Sequence, residues 1–308
     1  MAHATPADTS SAAASRVWTT LDLLNWTRAY FERKHVESAR LEAELLLAEA
    51  LGCSRIQLYT DFERPVSGVQ LTRFREFVKR RAEQREPLQY ILGYAEFLEL
   101  KLKVTSAVLI PRPETEELAE WASAVLQALP GERLNVLDIG TGSGCLALAL
   151  AAREPRAAVA AVDLSAAALE VARENAVKLG LTERVTFWEG DSFAPLPPEA
   201  RGQVDLIVSN PPYVDPDLKA TLPPEVRDHE PAAALFASER GLAVLQRIVS
   251  GSGAWLKPGG RLGLEISPEQ AGEVVARLQK SAAFVDLEVV EDRRKLKRFV
   301  HAQKAAAV

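Results

Sequence analysis

The apolar run Val204-Asp205-Leu206-Ile207-Val208-Ser209 leads directly into Asn210-Pro211-Pro212-Tyr213. The first six residues are typical of a buried β-strand. A helix cannot easily continue into two prolines, because each lacks a backbone N–H and disfavours helical geometry in the residue before it. The strand therefore ends in a stiff turn that carries an amide side chain, carbonyl oxygens and an aromatic ring. This proline turn is suited to holding a planar –NH2 group at the strand end, where open α/β sheets bind ligands.

The half of the chain around this turn alternates predicted strands and helices, as in a doubly wound α/β fold. We predict seven strands at residues 135–139, 159–163, 185–188, 204–209, 260–266, 287–291 and 299–302. The predicted helices between them cover residues 145–153, 166–179, 239–254 and 268–279. A mostly parallel seven-stranded sheet follows from this order.

Composition excludes several classes of protein. The 308 residues carry a net charge of −5, which argues against a protein that holds long nucleic acid through its phosphates. Two cysteines fit a reducing cytoplasm, and no apolar run approaches the roughly 18 residues of a membrane span. Residues 1–16 are rich in Ala, Ser and Thr and lack the pattern of a secretory signal, so we predict a disordered extension. We expect a cytoplasmic monomer that does not associate with membranes.

Residues 17–93 are predicted to form a helical domain that recognises a partner, because no cluster in them is typical of catalysis. Thr20 is the predicted cap of the first helix, and the second follows Ser38 and ends near Gly52. A third helix covers residues 67–86, with a row of basic residues: Arg73, Arg75, Lys79, Arg80, Arg81 and Arg85. This row is either a solvated face or a patch for an acidic partner or nucleic acid backbone. Alternating apolar residues then predict a β-hairpin linker at 94–108, followed by a catalytic domain at 109–308.

A glycine loop, Gly140-Thr141-Gly142-Ser143-Gly144, follows the first strand of that domain. Glycine lets the backbone turn tightly and approach a ligand without an intervening Cβ. The dinucleotide fingerprint would place its third glycine at position 145, which is Cys145 here. The G-x-G-x-G spacing instead resembles the cofactor loop of S-adenosylmethionine-dependent methyltransferases. All five residues of the loop are therefore predicted to bind the cofactor.

Two further residues are candidates for cofactor binding. Asp163 ends the second strand, where an ionised carboxylate can accept from both hydroxyls of a ribose. Its alternative role is in the N-cap region of the next helix. Phe193 follows the third strand, where it could pack on an adenine, and packing within its own loop is the alternative.

The glycine loop and the proline turn follow the first and fourth strands, which flank the switch point of a doubly wound sheet, so both face one crevice. There the Asn210 side-chain oxygen and the Pro211 carbonyl can each accept one hydrogen of an –NH2 group. This grip directs the nitrogen lone pair toward a methyl donor. We predict catalytic roles for Asn210, Pro211 and Tyr213, and a substrate slot that also includes Pro212. The histidines lack metal-ligand spacing, so no metal is expected.

The chain resembles the peptide chain release factor glutamine methyltransferases (the HemK/PrmC family) over nearly its whole length after residue 16. The resemblance is carried by Gln89–Gly93, Glu96-Phe97, Leu109–Glu116, Asp138–Gly144, Ser209–Tyr213 and Glu225–Pro231. It implies a Rossmann-like class I methyltransferase domain that uses S-adenosyl-L-methionine, behind a helical domain that helps to recognise the substrate. The implied substrate is the glutamine of the Gly-Gly-Gln motif in bacterial class 1 release factors, methylated on its side-chain amide nitrogen. The resemblance also implies that Asn210 touches both the cofactor and the substrate. Asp228 and His229 stand where the family usually has an aromatic residue.

The alternative function is methylation of the exocyclic amino group of adenine or cytosine in DNA or RNA. Such a group presents the same two hydrogens to the proline turn. Base flipping normally needs basic channels and added recognition sequence, which an acidic chain without a large insertion does not offer. We therefore expect a release factor, and no stable nucleic acid, as the partner.

Overall fold

The computed structural model describes residues 17–306, so the predicted extension at 1–16 lies outside the described residues. The chain forms two compact units, one ending at Ile91 and the other beginning at Leu92. In the described range, every helix is too short or too polar to cross a membrane.

The N-terminal unit is a helical bundle with one small strand pair. Its elements are β1 (Trp18–Thr19), α1 (Thr20–Arg33), α2 (Ala39–Leu51), α3 (Arg55–Thr60), β2 (Pro65–Val66) and α4 (Gly68–Ala82), and α5 (Leu88–Leu92) crosses the boundary. The cap of α1 is Thr19, so the prediction of Thr20 was wrong. Thr19 Oγ1 accepts from the Asp22 N–H, and the Asp22 carboxylate accepts from the Thr19 N–H, both at 3.2 Å. Gly52 ends α2 in the left-handed conformation, as predicted.

The basic row of α4 is largely engaged within its own unit. Four of its six members contact neighbouring groups: Arg73 with Glu49, Arg80 with Glu86, Arg81 with Glu42 and Arg85 with the Lys34 carbonyl. The Arg81–Glu42 pair is buried. Arg73 and Arg81 thereby join α4 to α2, while Arg80 bonds to the segment just after α4 and Arg85 lies beyond the end of the helix. These contacts favour the structural interpretation of the row over a docking patch.

The second unit contains the predicted seven-stranded sheet. Its strands are β5 (Leu134–Ile139), β6 (Ala157–Asp163), β7 (Val185–Glu189), β8 (Val204–Ser209), β9 (Leu256–Glu265), β10 (Phe284–Glu291) and β11 (Lys297–Lys304). The order across the sheet is β10-β11-β9-β8-β5-β6-β7, and β11 runs antiparallel to both of its neighbours. The predicted fold class, a doubly wound and mostly parallel sheet, is confirmed.

Helices cover the sheet or line the segment that follows β8. They are α6 (Pro113–Ala128), α7 (Cys145–Arg153), α8 (Ala166–Leu179), α9 (Pro224–His229), α10 (Ala232–Leu235), α11 (Ser238–Gly241), α12 (Ala243–Trp255) and α13 (Ala271–Ser281). Short 3-10 helices lie at Pro198–Ala200, Pro216–Thr221 and Pro268–Gln270. The predicted helix at 239–254 begins only at Ala243, because Glu239 and Arg240 have φ of 55° and 57° and interrupt the helical path.

The hairpin of β3 (Tyr94–Phe97) and β4 (Leu100–Lys103) packs within the second unit. The Lys103 backbone donates to and accepts from the Asn175 side chain of α8, at 2.6 and 3.0 Å. The Leu98 N–H donates to the Glu116 carboxylate of α6 at 2.8 Å. The hairpin is thereby fixed to two helices of the sheet domain.

The centre of the sheet determines where the site forms. Strands β5 and β8 pair in parallel, with Val136 beside Leu206 and Asp138 beside Val208. At their carboxyl ends the Ser209 hydroxyl donates to the Ile139 carbonyl at 2.5 Å. The glycine loop after β5 and the proline turn after β8 therefore begin side by side, as the switch-point argument predicted.

Candidate active site

A cavity of about 560 Å³ lies at the carboxyl ends of β5, β6, β7 and β8. Both predicted loops contribute to its wall, which includes Gly140, Thr141, Gly142, Ser143, Asp163, Gly190, Asp191, Ser192, Asn210, Pro212 and Thr115. A second cleft, of about 340 Å³, lies near the starts of β5, β6 and β8, and none of its described lining residues belongs to either loop. The first cavity is therefore the candidate site.

The glycine loop has a backbone that other residues rarely adopt. Gly140, Gly142 and Gly144 have φ of 75°, 55° and 83°. A Cβ at Gly144 would lie 3.0 Å from Leu148 Cδ1 and 3.3 Å from Ala172 Cβ, so glycine allows α7 to start against α8. The loop thus turns from β5 into α7. Gly140 to Ser143 line the cavity, whereas Gly144 is buried against α7 and α8 and is not part of the described lining.

Asp138, the residue before the last of β5, holds this loop from the core side. Its Oδ2 accepts from the Thr141 hydroxyl at 2.7 Å and from the Ala147 N–H at 3.2 Å. Burial raises the pKa of Asp138 to about 7, against the lowering effect of these two hydrogen bonds. Asp138 therefore has a structural position beneath the loop.

Asp163 occupies the wall of the cavity and also supports the glycine loop. Its Oδ2 accepts from the Gly142 N–H at 2.8 Å, and its Oδ1 accepts from the Ser165 N–H at 2.9 Å. The cap of α8 is Ser165, whose hydroxyl accepts from the Ala168 N–H at 3.2 Å. Burial raises the pKa of Asp163, which the backbone donors partly offset. Asp163 thus lines the cavity and also lies in the N-cap region of α8 through its bond to the Ser165 N–H, so the alternative role is present beside the proposed one.

Phe193 is not brought to the cavity. Its ring stacks on Trp255 with 5.7 Å between centroids, and a Cβ at Gly251 would lie only 2.4 Å from it. The ring packs against α12 rather than within its own loop, and Phe193 is not part of the described cavity lining. The preceding Asp191 lines the cavity instead and pairs with Arg247 at 3.3 Å.

The proline turn presents only part of itself to the cavity. Asn210 and Pro212 line the cavity, whereas Pro211 is buried and is not part of the described lining. The Tyr213 hydroxyl donates to Glu265 Oε1 at 3.1 Å, and the Tyr213 ring is likewise absent from the described lining. The predicted role of Tyr213 as a wall of the slot is therefore not visible in this arrangement.

Thr115 and Glu265 are site residues that the sequence argument missed. The Asn210 Nδ2 donates to Thr115 Oγ1 at 2.9 Å, and the Thr115 hydroxyl donates to Glu265 Oε2 at 2.8 Å. Thr115 and Glu265 are each 1% exposed. Burial raises the pKa of Glu265 to about 7, while the hydrogen bonds from Thr115 and Tyr213 act to lower it. One signal was available: an acid between Leu264 and Ile266 in an apolar strand is unusual.

Two of the sequence blocks that carry the family resemblance meet in space. Arg112 Nη2 lies 2.6 Å from Glu230 Oε1, and Glu230 is buried. Arg227 pairs with Asp228 at 2.7 Å, so one of the two residues that depart from the family pattern forms an ion pair on the surface. Burial raises the pKa of the Cys145 thiol to about 12, which fits a small packed residue rather than a reactive one.

Comparisons with known proteins agree with this geometry. Residues 22–93 match the model of the PrmC N-terminal domain, and residues 116–222 match that of the methyltransferase small domain. The release factor glutamine methyltransferase of Geobacter sulfurreducens is 45% identical over 285 residues, covering 92% of this chain and 96% of that protein. That of Rhodopirellula baltica is 39% identical over 290 residues, covering 94% and 97%. The chain belongs to the release factor glutamine methyltransferase family.

Family membership confirms the predicted resemblance and places the chain among methyltransferase enzymes. A solved structure of the hMettl16 catalytic domain, in complex with MAT2A 3′UTR hairpin 6, has the same fold. Its TM-score is 0.52 at 14% identity, and the match covers 78% of this chain and 82% of that one. A methyltransferase domain implies the use of S-adenosyl-L-methionine.

The residues present fit that cofactor. A cavity of about 560 Å³ falls within the range of small-molecule sites, roughly 300–1,000 Å³. The glycine loop lets a ligand approach the backbone closely, and the Asp163 carboxylate on the wall can accept hydroxyl hydrogens. Among residues 17–306, no three His, Cys, Asp or Glu side chains are grouped so that they could hold a metal ion.

Proposed function

We propose that the protein methylates the side-chain amide nitrogen of the glutamine in the Gly-Gly-Gln motif of bacterial class 1 release factors, with S-adenosyl-L-methionine as donor. The observation that carries this proposal is the position of Asn210. It lines the same cavity as the glycine loop, and its amide –NH2 group is already engaged by Thr115. Its Oδ1 therefore remains to accept from a substrate.

The cofactor would be held by the glycine loop and Asp163. Gly140 to Ser143 line the cavity and offer a close approach to the backbone, Gly144 allows the turn into α7, and Asp163 offers acceptors for two ribose hydroxyls. When bound, S-adenosyl-L-methionine supplies a sulfonium methyl group, whose carbon–sulfur bond breaks as the new carbon–nitrogen bond forms.

The substrate amide would be held by two acceptors at the proline turn. Asn210 Oδ1 would accept one of its hydrogens, and Pro212 contributes to the slot. The second proposed acceptor is the Pro211 carbonyl, whose residue is buried behind the cavity lining. An amide nitrogen is a poor nucleophile because resonance withdraws its lone pair. As the carbon–nitrogen bond forms, the nitrogen becomes positively charged, and the proton that it then releases passes to solvent water. Orientation in such a site can contribute on the order of 7–11 kcal/mol. Positioning by the turn, rather than a base, thus accounts for the reactivity.

Tyr213 acts on this turn through its hydrogen bond to Glu265. The N-terminal helices contribute to recognition of the release factor. Since β5 and β8 are neighbours, the donor and the amide would be held next to each other at the carboxyl ends of these two strands.

The test is transfer of labelled methyl from S-adenosyl-L-methionine to a purified bacterial release factor. We expect incorporation that disappears when the glutamine of its Gly-Gly-Gln motif is replaced by alanine. Single-stranded and duplex oligonucleotides serve as the competing substrates. Transfer to oligonucleotides, with none to the release factor, would replace this proposal by the amino-methylation of nucleic acid.

A further inference from the structure

A short chain of hydrogen bonds runs from the cavity wall into the core of the second unit. It begins at the Asn210 amide, passes through the Thr115 hydroxyl and ends at the Glu265 carboxylate. Its three members come from the proline turn, the first turn of α6 and the last residue of β9. We propose that Thr115 and Glu265 are positioning residues, which orient the Asn210 amide so that its oxygen faces the substrate. This inference rests on the proposed function of Asn210.

The direction of the chain follows from the chemistry of its end. An ionised carboxylate accepts hydrogen bonds and donates none, so the single hydroxyl hydrogen of Thr115 must point to Glu265. The Thr115 oxygen can then only accept from Asn210. Of the two ends of an amide, only the –NH2 end donates. The opposite orientation would place two acceptors 2.9 Å apart, so Oδ1 is directed away from Thr115.

Glu265 is itself held from both sides. Its other oxygen, Oε1, accepts from the Tyr213 hydroxyl at 3.1 Å, which occupies the only hydrogen of that group. The carboxylate therefore fixes both the first and the last residue of the turn, Asn210 through Thr115 and Tyr213 directly. At 1% exposure it has almost no contact with water that could replace these donors.

The charge on Glu265 determines whether the hydrogen bonds that join Asn210, Thr115 and Glu265 can run in one direction only. A protonated Glu265 can donate to Thr115, which can then donate to the Asn210 oxygen and stabilise the wrong orientation. Four groups face the carboxyl besides Thr115: Arg298 on β11 favours its ionised form, Glu114 on α6 opposes it, and Tyr213 and Cys145 of α7 lie nearby. Because burial raises the pKa of Glu265 to about 7, this change takes place near neutral pH.

The experiment compares wild type with Thr115→Val, Thr115→Ser and Glu265→Gln. Ser123→Ala is the matched control, since it removes a buried hydroxyl from the same helix. That hydroxyl donates to the Ala119 carbonyl, within α6. Single-turnover methylation of a release factor gives the rate, calorimetry gives the cofactor Kd, and thermal unfolding confirms that each variant is folded.

We expect Thr115→Val to lower the single-turnover rate about 10²-fold, the effect of misplacing a reacting group by about 1 Å. Its cofactor Kd should stay within about threefold of wild type, since the glycine loop and Asp163 are untouched. Thr115→Ser keeps the hydroxyl and should restore most of the rate, and Ser123→Ala should match wild type. A wild-type rate in Thr115→Val, or a Thr115→Ser variant as slow as Thr115→Val, would overturn the inference.

The pH profile separates positioning from a purely structural role. The wild-type rate should fall as pH drops below about 7, where Glu265 takes up a proton. Glu265→Gln cannot change charge and can still accept from Thr115 through its amide oxygen, so this acid limb should be lost. An unchanged acid limb in Glu265→Gln would contradict the inference.

Neutron diffraction from deuterated crystals tests the same point without any substrate. The Thr115 deuterium should point to Glu265, and both Asn210 deuterium atoms should lie on the side of Thr115. A Thr115 deuterium directed at Asn210 would refute the inference even if methylation proceeds. Conversely, the expected deuterium positions in a protein that does not methylate a release factor would refute only the proposed function.

Discussion

Gly241 stands where no side chain fits. A Cβ there would lie 2.0 Å from the Tyr213 carbonyl oxygen and 2.6 Å from Gln270 Nε2, and the φ of Gly241 is +80°. Gln270 donates to that same carbonyl at 3.0 Å, so the end of the proline turn is held between two elements. A single methyl group at this position would have to displace the turn.

We therefore expect Gly241→Ala to destabilise the fold by about 2–4 kcal/mol, combining left-handed strain with overpacking. Methyl transfer should fall more than stability alone requires, because the displaced turn carries Asn210. Urea unfolding and a transfer assay at a temperature where the variant is folded measure the two effects. Gly272→Ala is the control: its Cβ would meet nothing within 4 Å on α13, so stability should hold or rise. Equal behaviour of the two variants would contradict the argument.

Asn210 offers a second test at the residue scale. Asn210→Ala removes one of the two proposed acceptors but leaves the glycine loop and Asp163 intact. We expect kcat to fall by about 10²–10³-fold, the cost of losing one preorganised hydrogen-bonding partner. Cofactor affinity, measured by calorimetry, should remain within about tenfold. Near-normal turnover would remove Asn210 from its proposed role.

At the scale of elements, the Arg112–Glu230 pair joins the loop before α6 to the segment of α9 and α10. Glu230 has a side chain only 1% exposed, whereas Arg112 is 29% exposed. Pro231 and Ala234, which follow Glu230, line the cavity. The Arg112–Glu230 ion pair therefore connects the loop before α6 to a segment that lines the cavity.

Arg112→Met should destabilise the protein by about 1–3 kcal/mol, since the Glu230 carboxylate is left buried without its cation. Adding Glu230→Gln should recover part of that loss by removing the charge. Thermal unfolding measures stability. The KM for the cofactor should rise in the Arg112→Met variant, because the part of the cavity wall that follows Glu230 is held less firmly. Arg293→Met breaks an exposed pair with Glu120 and should cost less than about 1 kcal/mol. A cost for Arg112→Met as small as that of Arg293→Met would show that burial of Glu230 is unimportant.

At the scale of the whole molecule, Glu265 makes stability depend on pH. Its folded pKa of about 7 lies above its ordinary value of 4.5, so the folded state holds the proton more tightly. Its contribution is fully present below about pH 4.5 and is lost as pH rises through about 7. Asp138, also raised to about 7, acts in the same direction.

Glu265→Gln removes the Glu265 part of this dependence. The Tm of wild type minus that of the variant should therefore fall between pH 4.5 and 7 and level off above. Thermal unfolding of both proteins at pH 5, 6, 7 and 8 measures this difference. Parallel curves across that range would show that the carboxyl is not titrating with the raised pKa.

Sequence reasoning reached the fold and the two loops because their signals are local. Strand alternation, the glycines of residues 140–144 and the prolines after Ser209 each act within a few positions. Thr115 and Glu265 were not predicted as part of the site, because they lie 95 and 55 residues from Asn210 in the sequence and only the folded sheet brings them together. Phe193 lies in the loop after β7, but its ring stacks on Trp255, a contact that the local sequence does not reveal. The monomeric state stays a prediction.

The order of the sheet also determines when the site can exist during synthesis. β9 inserts beside β8 and carries Glu265 at its end, whereas the glycine loop and the proline turn both precede it in the chain. A nascent polypeptide that has emerged only as far as α12 holds both loops but lacks the carboxylate that aligns Asn210. Competence for methyl transfer should therefore arise only after β9 has left the ribosome.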